Sequence, residues 1–534
     1  HDTKGWPAFK DWPQYHTLTY EQTYYRWVQR AWMAGERVMV VPLVANRALC
    51  DLFQPKHNSC DEMDTVRLEL RDMHLLQDYI DAQSGGPGKG WMQIVTDPFQ
   101  ARRVMNSGKL AVVLGIETSE LFGCSGSGDA PHCDQAQINR GLDEFQHDGV
   151  RSIFLVNKFD NALAGVRFDS GPVGALINAA NKTSSGSFWS AKTCTGPEHD
   201  NTIFSGSQAN DAIAALGLSS QLPGGVPVYP PPPHCNTRGL TALGEHLVNQ
   251  LMQRHMILEI DHLSALAGDK ALSLLEPKHY SGVISAHSWI DPLTYPRIFN
   301  LGGIVTPYAG SSLGFVSDWR AAKKGANSRY YFGFGYGSDM NGLGAQGPPR
   351  HEGGAPVSYP FKSFDGRVSF DRQRSGSHVY DINNDGVAHY GLYPDWIQDL
   401  RKIAGDQIAT DLFRGGEAYL QMWERADGVP AESCRSARTR FTRRGLGGVR
   451  LRSAPERLLR SAGQPHRRVG RVFSYCVAGA RNRRAKVLAV FTPRVTVGLV
   501  ASTARQPGKR AIGAGTRASR LRGITRAFGH GVRV

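Results

Sequence analysis

At 534 residues the chain exceeds one ordinary core and suits a large enzyme domain with an appendage. Hydrophobic residues at 41% and aromatic residues at 9% can bury such a core, and no run of about 18 apolar residues is present, which excludes a transmembrane helix. The formal charge of +15 averages two unlike regions: residues 435–534 hold 25 Lys or Arg and one acidic residue, Glu456, a balance of +24, whereas residues 1–434 hold 37 basic and 46 acidic residues, a balance of −9.

Taken in chain order, short apolar runs alternate with amphipathic segments. The runs are RVMVVPLVA (37–45), WMQIVT (91–96), KLAVVLGIE (109–117), VRSIFLV (150–156), MILEIDHLS (256–264), SGVISAHS (281–288), GGIVTPYA (302–309) and YYFGFGYGSD (330–339). Between them, TYEQTYYRWVQRAWMAG, DTVRLELRDMHLLQDYIDA and TRGLTALGEHLVNQLMQRH repeat apolar residues every three or four positions, the helical period. Strand alternating with helix predicts an α/β fold, and eight such strands predict a TIM-barrel-like (β/α)8 architecture over residues 1–433, with a doubly wound open sheet as the alternative. Two long loops interrupt the pattern, 158–233 with its VPVYPPPPHC segment and 341–381, which is rich in Gly, Pro and Arg. The first follows a strand end and is expected to cover the site as a lid. The helical pair YPDWIQDLRKIAG and IATDLFRGGEAYLQMWERA closes the domain. Residues 434–534 predict a small, strongly basic α+β domain, because VGRVFSYCVAG, AKVLAVFT and RVTVGLVAST alternate as strands do and GLGGVRLRSAPERLLRSAGQP is loosely echoed at 510–531. Its charge suits an anionic surface such as wall polymer or lipid headgroups; no aromatic stacking set points to nucleic acid.

Eight cysteines fall in neighbouring couples, Cys50 and Cys60, Cys124 and Cys133, Cys194 and Cys235, Cys434 and Cys476. None has CxxC spacing, so disulfides in an oxidising compartment are expected, and with them a secreted protein. The chain begins at His1 without an initiator Met, and an upstream segment is expected.

Several apolar runs end in a polar or ionisable residue: Glu117, Asn157, His262, His287 and Asp339. In a barrel these ends converge on one face. A carboxylate, two imidazoles and a second carboxylate make a mixed N and O set suited to zinc or a similar divalent ion, which lowers the pKa of bound water and polarises a carbonyl. No Ser/His/Asp elbow, P-loop or post-strand GxGxxG competes, and the glycines of FGFGYGSD are read as close packing. DINNDG (381–386) begins like a calcium loop but has Leu392 where the bidentate Glu belongs, so an Asx-type turn is expected. His389 and Tyr390 just beyond it are weaker candidates for the site lining.

At these residues the sequence resembles the membrane (renal) dipeptidase family of metal-dependent hydrolases, barrels with a two-zinc centre. LAVVLGIETSE resembles the family's strand ending in Gly-(Ile/Val)-Glu, EIDHLS its Asp-Leu-(Ala/Ser)-His-Val-Ser strand, SGVISAHSW its Val-Ile-Phe-Ser-His-Ser strand, and FGFGYGSDMNG its Gly-Phe-Gly-Gly-Asp-Phe-Asp-Gly motif. The C-terminal YPDWIQDLRKIAG is similar to its Tyr-Pro-Asp-Leu helix. The resemblance implies that Glu117 bridges metals, that His262 and His287 ligate the second zinc, that Asp339 is the acid/base and that Arg297 meets the substrate carboxylate. Asn157 stands where the family has a substrate-binding His; it can donate to an oxyanion but cannot become an imidazolium. No His-x-Asp pair lies ahead of RVMVVPLVA, so one metal site is expected whole and the other wanting, with the family's first strand upstream of His1. The implied function is hydrolysis of an amide or peptide bond in a small substrate with one or two zinc ions; the alternative is a catalytically impaired barrel acting as a secreted binding module held by its basic tail.

Overall fold

The computed structural model describes residues 9–502 apart from 10–11, 18–19, 53–54, 216–224, 341–343, 352–353, 431–438, 443–444, 479–485 and 493–494. Cys434 and the echo at 510–531 lie outside the described residues. The chain divides into two units, His1–Ala426 and Asp427–Val534.

In the first unit the apolar runs become parallel strands: β1 (Val38–Ala45), β2 (Met92–Ile94), β3 (Leu110–Thr118), β4 (Val150–Phe154), β5 (Ile257–Glu259), β6 (Val283–Ser285) and β7 (Ile304–Val305). All nine residues of β3 are buried, as a strand covered on both faces requires. The ladder runs β1-β3-β4-β5-β6-β7, and β2 shares an edge of β3 with β4: β2 pairs with Leu110–Val112, β4 with Leu114–Ile116. WMQIVT is therefore a short strand off the main path. The parallel connections are helical, and several of these helices start on a side-chain cap: Asp61 for Glu62–Gln83, Asp134 for Gln135–His147, Thr241 for Ala242–Gln253, Ser264 for Ala265–Leu275 and Ser311 for Ser312–Gly325.

The result is a curled parallel sheet, a TIM-barrel-like half-barrel. The eighth run, 330–339, makes an isolated parallel bridge instead of a ladder: Tyr308 pairs with Gly337, whose N–H donates to Pro307 O (2.8 Å) and whose carbonyl accepts from the Ala309 N–H (2.7 Å). Its glycines are why it can approach so closely. A Cβ on Gly337 would sit 2.0 Å from Ala286 O, and one on Gly333 would sit 2.4 Å from Arg414 O. On the far side of the sheet, among the described residues, the outer edge of β1 has no ladder partner. That edge is blunted: the Val44 N–H goes to Glu69 Oε2 (2.8 Å), and Pro42, two positions earlier and so on the same side, has no N–H to offer.

The 158–233 loop is structured. It carries helices Gly171–Ser185 and Ser207–Ala215 and a strand, Ala191–Thr193, that pairs with His234–Asn236. Backbone bonds from Arg167 N to His262 O (2.7 Å) and from Ser264 N to Gly165 O (2.9 Å) tie it to the end of β5. Disulfides join Cys50 to Cys60, Cys124 to Cys133 and Cys194 to Cys235. No helix among the described residues is long and apolar enough to cross a membrane.

The second unit has helix Pro455–Ala462 and a four-stranded antiparallel sheet of Arg467–Val469, Val472–Cys476, Lys486–Phe491 and Val497–Ser502. Burial alternates along Lys486–Phe491, so Val487, Ala489 and Phe491 face inward with Leu458 and Leu459 among the unit's buried apolar residues.

Candidate metal centre

Glu117 is the penultimate residue of β3, and His262 and His287 follow the ends of β5 and β6, so three strand termini deliver them to one place. Glu117 Oε1 lies 2.9 Å from His262 Nε2 and 3.7 Å from His287 Nε2, and the two Nε2 atoms are 2.8 Å apart. All three side chains are buried. Phe154, the last residue of β4, walls the cluster with its ring centroid 5.8 Å from that of His287 and 6.0 Å from that of His262.

The second imidazole is aimed by Asp261. Its Oδ2 meets His287 Nδ1 at 2.8 Å and accepts the His287 backbone N–H at 2.7 Å, while Oδ1 accepts from Ser285 Oγ at 2.8 Å. With Nδ1 so engaged, His287 presents Nε2 to the cluster, the arrangement by which carboxylates orient metal-binding imidazoles. Three convergent donors, two nitrogens and one oxygen, within 4.8 Å of one another fit a divalent ion of the zinc class.

The electrostatics of the cluster follow from burial and from pairing. Burial pushes Glu117 up, opposed by His287 and Lys158, and pushes His262 far down, with His287 adding to the effect. Burial opposes the proton on His287 too, but the Asp261 carboxylate outweighs it and carries the imidazole up to about 10. Asp339 is lifted to about 6 by burial, against the pull of His287. His262, Ser288 and Asp339 have φ of +68°, +62° and +44°, a left-handed conformation that costs non-glycine residues energy and that gathers at functional sites.

A cavity of about 700 Å³ opens on the cluster, lined by Glu117, His287, Asp339, Phe154 and Tyr390 and by most of β1. Asp339 thus faces the same space as two of the three cluster residues. Asn157 is buried beyond the end of β4, with Oδ1 lacking a partner among the described residues. Arg297 is not brought to the cluster: its guanidinium donates to Glu276 Oε1 (2.7 Å), Asp269 Oδ1 (2.6 Å) and Ser273 Oγ (3.1 Å). His389 does not line the cavity either; it stacks on Trp27 with centroids 4.1 Å apart. DINNDG forms the turn expected of it, with Asp381 capping the short helix Ile382–Asp385.

Asp261, Glu259 and Lys158 were not singled out by sequence reasoning. Asp261 carried a signal, since it sits beside His262 in EIDHLS. Glu259 carried one as well, being an acid inside an apolar strand; it is fully buried, accepts a hydrogen bond from Ser152, and is pushed by burial to about 8.

No family model matches the chain, and no curated protein does. Solved structures that align with it include an amidohydrolase from Pseudomonas aeruginosa, at 10% identity over 75% of this chain and 92% of that one with a TM-score of 0.40. A metallopeptidase described as a dipeptidase aligns at 12% identity over 75% and 88% with a TM-score of 0.41. A metallopeptidase from Rhodobacter sphaeroides, liganded with a phosphinate mimic of the dipeptide L-Ala-D-Ala, aligns at 12% identity over 75% and 89% with a TM-score of 0.37.

Proposed function

We propose that the chain is a metal-dependent hydrolase of the dipeptidase type that cleaves an amide or peptide bond in a small substrate. The observation that carries this reading is the buried cluster of Glu117, His262 and His287 at adjacent strand ends, with Asp261 behind His287 and Asp339 on the same cavity. A divalent ion held by these three residues, zinc by its donor set, supplies Lewis acidity and lowers the pKa of a water at neutral pH. Asp339 takes the proton of the attacking water and passes it to the leaving amine, and its lifted pKa suits a group that must do both near neutrality. The Asn157 side chain donates to the developing oxyanion. Arg297 can meet a substrate carboxylate only by leaving Asp269 and Glu276. Disulfide pairing supports an extracytoplasmic setting, and the basic composition of residues 434–534 suits an anionic surface.

The test is elemental analysis of the purified full chain, wild type and His287→Ala, together with dipeptide hydrolysis by wild type and Asp339→Asn. Zinc in the wild type and none in His287→Ala, with turnover lost in a metal-loaded Asp339→Asn, is the expected result. A wild type that takes up no metal would overturn the reading and leave a binding module.

A further inference from the structure

Lys158 follows Asn157 past the end of β4, and its backbone N–H donates to Ser119 Oγ (3.0 Å), two residues beyond Glu117. A lysine in such a place usually stretches its ammonium into water. This one does not: the side chain is 21% exposed, and its Nζ lies 3.1 Å from Asp169 Oδ1 and 4.8 Å from the centroid of the Trp289 ring. Trp289 in turn lies with its ring 6.0 Å from that of His262. Through Trp289 the ammonium is one ring away from His262, and its charge acts on Glu117, His262 and Asp339.

Donor capacity is left over here. An ammonium has three N–H groups, and among the described residues Asp169 is the one hydrogen-bond partner of this Nζ. The Nε1–H of Trp289 is buried and has no partner among the described residues. The buried Trp289 donor is costly to leave without an acceptor, and the neighbouring ammonium, with N–H groups to spare, makes an anionic acceptor the fitting occupant. Asp169 fixes the ammonium in position without using all of it. Arg297, the other cation considered for a substrate, is committed to Asp269 and Glu276.

We propose that Lys158 and Trp289 bind a carboxylate of the substrate, which makes Lys158 a specificity-determining residue of the site. The inference rests on the hydrolase reading for the word substrate but not for the binding itself, since neither donor depends on a metal.

The experiment uses the full chain with and without added zinc and two probes, N-acetylalanine and N-acetylalaninamide, which differ by a carboxylate against a carboxamide. Calorimetric titration is expected to show the acid binding about tenfold or more tighter than the amide, as charge-assisted bonds require. Lys158→Met should erase that preference with zinc content unchanged, Lys158→Arg should keep part of it, and Trp289→Phe, which keeps the ring and removes the N–H, should reduce it. Should Lys158→Met fold poorly, the Trp289→Phe result decides. A wild type without preference overturns the proposal, as does a preference that survives in Lys158→Met or vanishes in Arg297→Met instead. Equal weakening of both probes in Lys158→Met would mean a structural role only and would overturn it as well. Zinc uptake without carboxylate preference would sink this proposal and leave the hydrolase reading standing; preference without zinc uptake would do the reverse.

Discussion

At the scale of single residues, Asp261 determines what His287 can be. By engaging Nδ1 it leaves Nε2 to face Glu117 and His262, and it does so while fully buried and bonded also to Ser285 and to the His287 backbone. An asparagine in its place can still accept at one oxygen but loses the charge that favours a basic imidazole. Asp261→Asn should therefore weaken zinc binding by about 10- to 100-fold, read by competition with a chromogenic chelator, with the fold retained by circular dichroism. Unchanged affinity would mean that Asp261 merely fills space. Asp339 poses the complementary case. Its left-handed backbone, φ +44°, is tolerated by Asp and Asn alike, so Asp339→Asn removes the titrating group without changing the backbone demand.

At the scale of elements, close approach of glycine backbones holds the 330–339 run against its neighbours. Gly337→Ala would force a Cβ against Ala286 O, beside His287, and should cost about 1–3 kcal/mol, whereas Gly196→Ala, with nothing within 4 Å, should be near neutral. Chemical denaturation of the two variants gives the comparison, and equal midpoints would refute the packing argument. The Cys194–Cys235 bridge closes a separation of 41 residues in the segment that is tied to the end of β5, so chain entropy assigns it about 4 kcal/mol. Cys194→Ser with Cys235→Ser should therefore loosen residues 158–236 to hydrogen exchange well before the sheet. The strands of the half-barrel were legible because apolar runs covered on both faces leave a plain mark, and the convergence of Glu117, His262 and His287 was legible because their runs end in ionisable residues. The 330–339 run read as a strand for the same reason, yet glycine spacing let it pack without a ladder. Arg297 could not be placed from sequence, since a guanidinium ten residues past His287 reaches either the site or Asp269 and Glu276, and only three-dimensional proximity decides. Lys158 and Trp289 gave no pattern at all, because their pairing joins separate strand ends.

At the scale of the whole first unit, burial of carboxyl groups makes stability depend on pH in an uncommon direction. Glu62 and Glu259 are pushed by burial to about 8, Glu36 and Glu69 to about 7 and Asp200 to about 6, while hydrogen bonds from backbone N–H or hydroxyl groups oppose the rise only partly. The sign follows from proton counting. Each folded value lies above the ordinary one, 4.5 for the glutamates, so between that value and about 8 the folded chain holds more protons than the unfolded chain. Stability is then fully present below about 4.5 and is lost as pH rises through the folded values. Asp261, held below the carboxylate range by His287, works the other way, but only under acidic conditions. The Tm of the metal-free protein should fall by on the order of 5 °C or more between pH 5.5 and 8.5. Glu259→Gln preserves an acceptor for Ser152 and removes one titrating group, so it should flatten the upper end of that slope while leaving the Tm at pH 5.5 nearly unchanged. A Tm that rises across the same interval would show that these carboxylates ionise at no cost, and hence that water reaches the interior of the half-barrel.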